Sequence, residues 1–501
     1  MNAGLVMLPA VVAVAVVSAA TGCAAGSDIG ATVRPADCAG TWYPGDAETL
    51  AKEVDELLAA AALPTLTGKP VAVIAPHAGY RWAAPVAAVG YGCLKGHSYK
   101  RVIALAFNHR LSGSYRGVDV PAELTAYQTP LGQVPVDRPV CDALAKDSLF
   151  ASHPGVDRNE WSLELQLPFL QRMLGEFRLV PLLVGRMSDR DWVAAAEAIL
   201  PWVDDETLLA VSSDFTHYGP NYRFVPFTDD IPDRLRELAD AAAAPILKCD
   251  NDGFAEHLAK TQDTICGRGP IRLLLRVLSM QGGAQGVRAA FDTSGRMSGD
   301  FTNSVTYQSI VLTRPKGTLE GPQRESLLRL ARETITAHLN GKGLPAVDAE
   351  KLPAALRAPG ACFVTLTNRG ELRGCIGNMA ATGPLYGAVI DNAVSACRDR
   401  RFVRNPVTAK ELDELHVEIS YLTPMQRVSK PGEIIVGRHG LLIVSGGRRG
   451  VLLPQVAYSR GWSRDEFLAQ TCRKAGLPLD AWSQPAAEIY SFTAEVFGEP
   501  E

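Results

Sequence analysis

Val71-Ala-Val-Ile-Ala-Pro-His-Ala-Gly-Tyr80 is the most telling stretch of the chain: a short apolar run, part of it β-branched, that stops abruptly in proline, histidine and glycine. A strand without polar alternation belongs to a sheet covered on both faces. Val102 to Phe107, Leu179 to Val184 and Leu208 to Val211 have the same character, and segments such as Ala47 to Ala62 and Trp192 to Leu200 carry helical spacing. Alternation of helix and strand predicts a layered α/β domain. In open sheets of this kind ligands sit beyond the carboxyl ends of the strands, where loops and helix N-termini converge.

Chemistry gathers at those ends. The first run leads into His77, the second into Phe107-Asn-His-Arg110, and the fourth into Ser212-Ser-Asp-Phe-Thr-His-Tyr218. His77, His109, His217 and Asp214 are therefore expected along one edge of one sheet. Thr264-Ile-Cys-Gly-Arg-Gly-Pro270 precedes a segment whose apolar face is Ile271, Leu274, Leu275 and Leu278. Proline there marks a helix start, and the helix dipole with Arg268 is expected to hold Cys266 as a thiolate. Two imidazoles and a thiolate suit a borderline or soft metal with coordination positions left open, a catalytic or redox arrangement. His217 is the expected acid/base, oriented by Asp214. The competing structural reading is that Asp214 caps a helix and His217 packs beneath a loop.

The whole chain has 501 residues, 47% of them hydrophobic, which excludes a disordered protein. Lys+Arg 50 against Asp+Glu 54 argues against a protein that works by wrapping nucleic acid. Ten cysteines are too dilute for a disulfide scaffold. Leu5 to Ala20 is nearly all apolar, shorter than the roughly 20 residues of a bilayer span and suited to a secretory signal. The small residues before Cys23 resemble a bacterial lipoprotein cleavage site. Residues 1–30 are accordingly expected to be a leader, with the protein exported and membrane-anchored by lipid at Cys23; the alternatives are a cytoplasmic protein with a later start, or a simple anchor helix.

Arg314 to Pro322 breaks both helical and strand patterns, so a first domain is expected over 31–313, a linker over 314–322 and a second, smaller α+β domain over 323–501. In the latter, Leu327, Leu328, Ala331 and Ile335 mark a helix face, Ala361 to Thr367 reads as a strand, and Leu441 to Val444 pairs with Val451 to Leu453 across Ser445 to Gly450. Glu371-Leu-Arg-Gly-Cys-Ile-Gly377 sets Cys375 between two glycines with Arg373 nearby to lower its pKa. The competing reading is a small buried thiol in a glycine-rich turn, because no histidine stands close by as a base.

These motifs carry two resemblances. Gly40-Thr-Trp-Tyr-Pro44, Ala75-Pro-His-Ala-Gly-Tyr80, Ser212-Ser-Asp-Phe-Thr-His-Tyr-Gly219 and Thr264-Ile-Cys-Gly-Arg268 resemble the Memo (mediator of cell motility) family, in prokaryotes AmmeMemoRadiSam system protein B. The resemblance implies a fold like the catalytic subunit of class III extradiol ring-cleaving dioxygenases. It also implies metal ligands at His77, His109 and Cys266, with Asp214 and His217 in the same pocket. Two departures stand out: Ala106-Phe-Asn-His-Arg110 replaces Gly-Pro-Ser-His-His, and Glu160-Trp161-Ser162 replaces Glu-His-Ser, so one imidazole is missing where substrate choice or activity would be set.

Leu372-Arg-Gly-Cys-Ile-Gly377, Leu453-Pro-Gln-Val456 and Cys472-Arg-Lys-Ala-Gly-Leu-Pro478 resemble the AMME syndrome candidate-region domain, AmmeMemoRadiSam system protein A, with Arg373 and Cys375 as its candidate functional residues. The shared system name implies a radical S-adenosylmethionine enzyme as partner, since this chain has no cysteine cluster for an iron-sulfur centre. The expected function is a metal-dependent, redox or dioxygenase-like enzyme domain fused to an accessory domain, using one ion of iron or copper, with zinc a further candidate, on a small-molecule or protein substrate. The alternatives are a non-catalytic copper- or iron-binding scaffold and a zinc-dependent hydrolase.

Overall fold

The apolar runs form β1 (Pro70–Ala75), β2 (Arg101–Phe107), β3 (Arg178–Val184) and β4 (Thr207–Ser212), with β1 and β4 buried at every residue. They pair in parallel in the order β1-β4-β2-β3, and the long β5 (Ser304–Thr313) runs antiparallel to β1. Helix α1 (Tyr80–Gly92) packs on β1 and β5, and α2 (Arg268–Met280) packs on β2, β3 and β4. One continuous core fills the space between. The expected layered α/β domain is thus present, and parallel strand order sends the loops after β1, β2 and β4 to one end of the sheet. The computed structural model describes residues 32–499 apart from 110–114, 122, 154–157, 159 and 315–318. The leader expected over residues 1–30 and the lipidation expected at Cys23 lie outside the described residues.

The second unit opens with α3 (Gly321–Leu339). Pro322 stands in its first turn, where no amide hydrogen is needed, and Glu320 and Gln323 form a reciprocal capping box. Helix α3 thus begins inside the stretch expected to be linker. Strands β6 (Ala361–Asn368), β7 (Glu371–Gly377), β8 (Leu415–Leu422), β9 (His439–Ser445), β10 (Arg448–Leu452) and β11 (Glu488–Gly498) form an antiparallel sheet in the order β7-β6-β8-β11-β9-β10. Helix α4 (Leu385–Cys397) packs on β6 and α3. The β9–β10 hairpin is tighter than its sequence suggested. Gly446 and Gly447, at φ of 54° and 74°, make a two-residue turn, so pairing extends to Ser445 and Arg448. Among the described residues no helix is long and apolar enough to cross a membrane.

Candidate metal centre

Parallel strands deliver the imidazoles. His77 follows β1 by two residues and His109 follows β2 by two, while Cys266 arrives on the turn into α2. That turn needs glycine at 267, because a Cβ there would lie 2.3 Å from Ser213 Cβ. His77, His109 and Cys266 are brought together, one ligand atom from each lying within 4.8 Å of the others. His77 Nε2 stands 3.1 Å from Cys266 Sγ.

Hydrogen bonds fix which ring nitrogen faces the cluster. Ser212 Oγ donates to Ser162 O, so it accepts from His77 Nδ1–H at 2.7 Å. Glu160 Oε1 accepts from His109 Nδ1–H at 2.9 Å. Each ring therefore carries its hydrogen on Nδ1 and leaves Nε2 as the ligand atom, the carboxylate-histidine and hydroxyl-histidine supports that orient metal ligands. Burial lowers the His77 pKa to about 4, which keeps the ring neutral at pH 7. Glu160 is buried too, yet hydrogen bonds from His109 and Ser162 outweigh desolvation and hold its pKa low. Glu160, Ser212 and Gln166, which donates to Ser212 Oγ at 3.0 Å, were not anticipated as site residues. Glu160 drew notice only as the neighbour of a departed histidine, and nothing marks Ser212 beyond its place at a strand end.

Two expectations are corrected. Asp214 does not orient His217: its Oδ1 accepts from the backbone N–H of His77 at 2.8 Å and of Ala78 at 3.2 Å, pinning the loop that carries the ligand. His217 is instead oriented by Phe215 O and Thr264 O, 2.9 and 3.1 Å from Nδ1, which therefore carries a hydrogen. Nor do the surroundings of Cys266 lower its pKa. Burial, aided by the Asp214 carboxylate, raises its pKa well above the ordinary value; a bound cation is what deprotonates such a thiol.

His77 and His109 open on a cavity of about 520 Å³ also lined by Trp42, Trp161, Asp214 and His217 among others. Trp161 stacks on the His109 ring at 4.4 Å and on Trp42 at 5.1 Å, so the replaced imidazole has become an aromatic wall.

In the second unit, Cys375 lies apart from this centre. Thr365 Oγ1 donates to its Sγ at 3.3 Å. Arg373 is not free to act on it, because its guanidinium makes two hydrogen bonds to Glu411, at 2.8 and 3.1 Å. The groups that hold Cys375 are Asp399, which accepts its N–H at 3.0 Å, and Arg401, which donates to its carbonyl at 3.2 Å. Arg401 holds the Asp399 carboxyl at about 2.

The family described as Memo-like protein matches residues 34–311, and AMMECR1 matches residues 328–497. The chain is 43% identical over 189 residues to a protein of Methanothermobacter thermautotrophicus, covering 36% of this chain and 96% of that one. It is 45% identical over 186 residues to Protein TK0174 of Thermococcus kodakarensis, covering 35% and 89%. A solved structure of an uncharacterized protein from Pyrococcus horikoshii is 40% identical, covers 36% of this chain and 93% of its own, and superposes with a TM-score of 0.34.

Proposed function

The chain belongs to the Memo-like protein family and continues into an AMMECR1 unit, and from that premise we propose that His77, His109 and Cys266 hold one transition metal ion in a redox or dioxygenase-like enzyme domain. The observation that carries this reading is the convergence of three ligand atoms within 4.8 Å, two of them imidazole nitrogens whose tautomers are already set. The donor set fits copper, iron or zinc, with sulfur favouring the softer ions. Such an ion supplies Lewis-acid or redox chemistry at the positions that the three protein ligands leave open. The chain does the rest. His217 Nε2 accepts or returns a proton in the cavity, Asp214 holds the His77 loop in place, and the Trp42–Trp161 stack excludes water from one wall. The AMMECR1 unit acts as an accessory, a radical S-adenosylmethionine enzyme is the proposed partner, and an exported location is proposed for the whole.

Elemental analysis of full-length protein purified without added metal tests the reading. About one ion per chain is expected, with Cys266→Ser and His77→Ala each losing most of it; unchanged stoichiometry overturns the ligand set. Oxygen uptake with catechols and reductants separates the classes. Turnover that His217→Ala abolishes while metal is retained supports the enzyme. Retained metal without turnover in any condition favours the scaffold, and oxygen-independent activity with zinc favours a hydrolase.

A further inference from the structure

A second cavity, about 490 Å³, shares His109 with the first and falls within the size range of small-molecule sites. Its floor is apolar, with Phe107, Tyr115, Met187 and Trp192 in the lining. Its remaining character is cationic: Arg186, Arg268 and Arg272 line it, and no carboxylate does among the described residues. Arg272 is neutralised by Asp189 at 2.9 Å and lies over the Trp192 ring. Arg186 and Arg268 make no ion pair among the described residues. Arg268, expected from the sequence to serve the Cys266 thiol, thus lines this chamber. Arg268 and Gly269 are also the first two residues of α2, a 13-residue helix whose leading amides carry the positive end of its dipole. Among the described residues, buried Trp192, 3% exposed, has no hydrogen-bond partner for Nε1, and Tyr115 Oη has none either.

We infer that this chamber binds a small organic dianion with an apolar body, a phosphate monoester or a dicarboxylate, seated against the His109 ring. Two uncompensated guanidinium groups and a helix N-terminus match two negative charges, and the aromatic floor matches the body. A monoanion would leave one guanidinium unmatched, and a neutral molecule would leave both. Naming this ligand a substrate rests on the metal-centre reading; its binding does not. His109 is common to both cavities, so a molecule held here lies beside the proposed ion.

The test is calorimetric titration of the full chain with hexyl phosphate, adipate, 1-hexanol and inorganic phosphate, with and without metal. At least one of the two organic dianions is expected to bind about tenfold or more tighter than hexanol and inorganic phosphate, and to weaken severalfold as salt rises from roughly 50 to 500 mM. Whichever of hexyl phosphate and adipate binds tighter identifies the class. Arg186→Met and Arg268→Met are each expected to weaken it about fivefold or more; both side chains are on exposed residues, so folding is not at stake. Hexanol binding as well as the dianions, no binding by either dianion, or two methionine variants that bind like the unmodified chain overturns the inference. The two proposals fail separately. Dianion binding in a protein that takes up no metal leaves the chamber standing and removes the metal centre; metal uptake without dianion binding does the reverse.

Discussion

Glu160 determines what His109 can do. It accepts from the His109 ring, the His109 backbone N–H and the Ser162 backbone N–H, so an ionised carboxylate at 2% exposure fixes the imidazole tautomer from behind. Glu160→Gln keeps the shape and removes the charge. Metal affinity is expected to fall about 10- to 100-fold with the fold unchanged, as measured by chelator competition alongside circular dichroism. A second residue-scale prediction concerns His439, whose pKa burial lowers to about 4 and whose Nδ1 accepts the Ile435 N–H at 3.2 Å. Protonation has to break that bond. Because the folded value lies below the ordinary one, the unfolded chain takes up the proton first as pH falls. Stability is therefore complete above about 6.5 and is lost between about 6.5 and 4. His439→Asn keeps an acceptor without the titration, and denaturant unfolding across that range should show it losing on the order of 3 kcal/mol less than the unmodified chain.

At the scale of elements, glycine sets how closely strands and helices approach. A Cβ at Gly374 in β7 would stand 2.2 Å from the carbonyl oxygen of Ala396 in α4, so Gly374→Ala forces the strand off the helix. A loss of about 2–3 kcal/mol is expected, seen as a lowered Tm, with the Asp399 and Arg401 contacts to Cys375 disturbed in turn. The glycines around Cys375 were readable as sites of close approach. What approaches was not, because Ala396 comes from an element whose position depends on the packing of α3 and β6. The same holds at Gly267, where the nearest atoms belong to Ser213.

Across the whole molecule, the two units meet through apolar packing, with Tyr458 of the second against the core of the first, and through a polar seam. Asp205 of the first unit accepts the Gly321 N–H at 2.6 Å and pairs with Arg314 at 2.7 Å. Beside it, Arg324 pairs with Glu495 at 2.6 Å, and Glu495 also accepts the Leu319 N–H at 2.9 Å. Burial raises the Glu495 pKa, and Arg324 opposes that rise. Removing the guanidinium strands a buried carboxylate, so Arg324→Met is expected to cost about 3–5 kcal/mol, and Glu495→Gln in the same chain to recover most of it. Two-probe denaturation should show whether the units then unfold separately.

The layered α/β architecture and the positions of His77, His109 and Cys266 could be read from residue order alone. Buried parallel strands must be continuously apolar, and their ends must carry whatever polar residues follow them; both are local properties. The partners that give those side chains their chemistry could not be read. Glu160 lies 51 residues from His109, and Ser212 lies 135 residues from His77. Sequence spacing therefore carries no sign of either tautomer, of the burial that raises the Cys266 pKa, or of Asp214 serving the His77 backbone instead of His217. The chamber beside His109 is more distant still from local reading, since Phe107 to His109, Tyr115, Gly185 to Met187, Trp192, Arg268 and Arg272 line it together. Residue type can be read locally, but protonation, orientation and enclosure arise from neighbours that only the folded chain brings together.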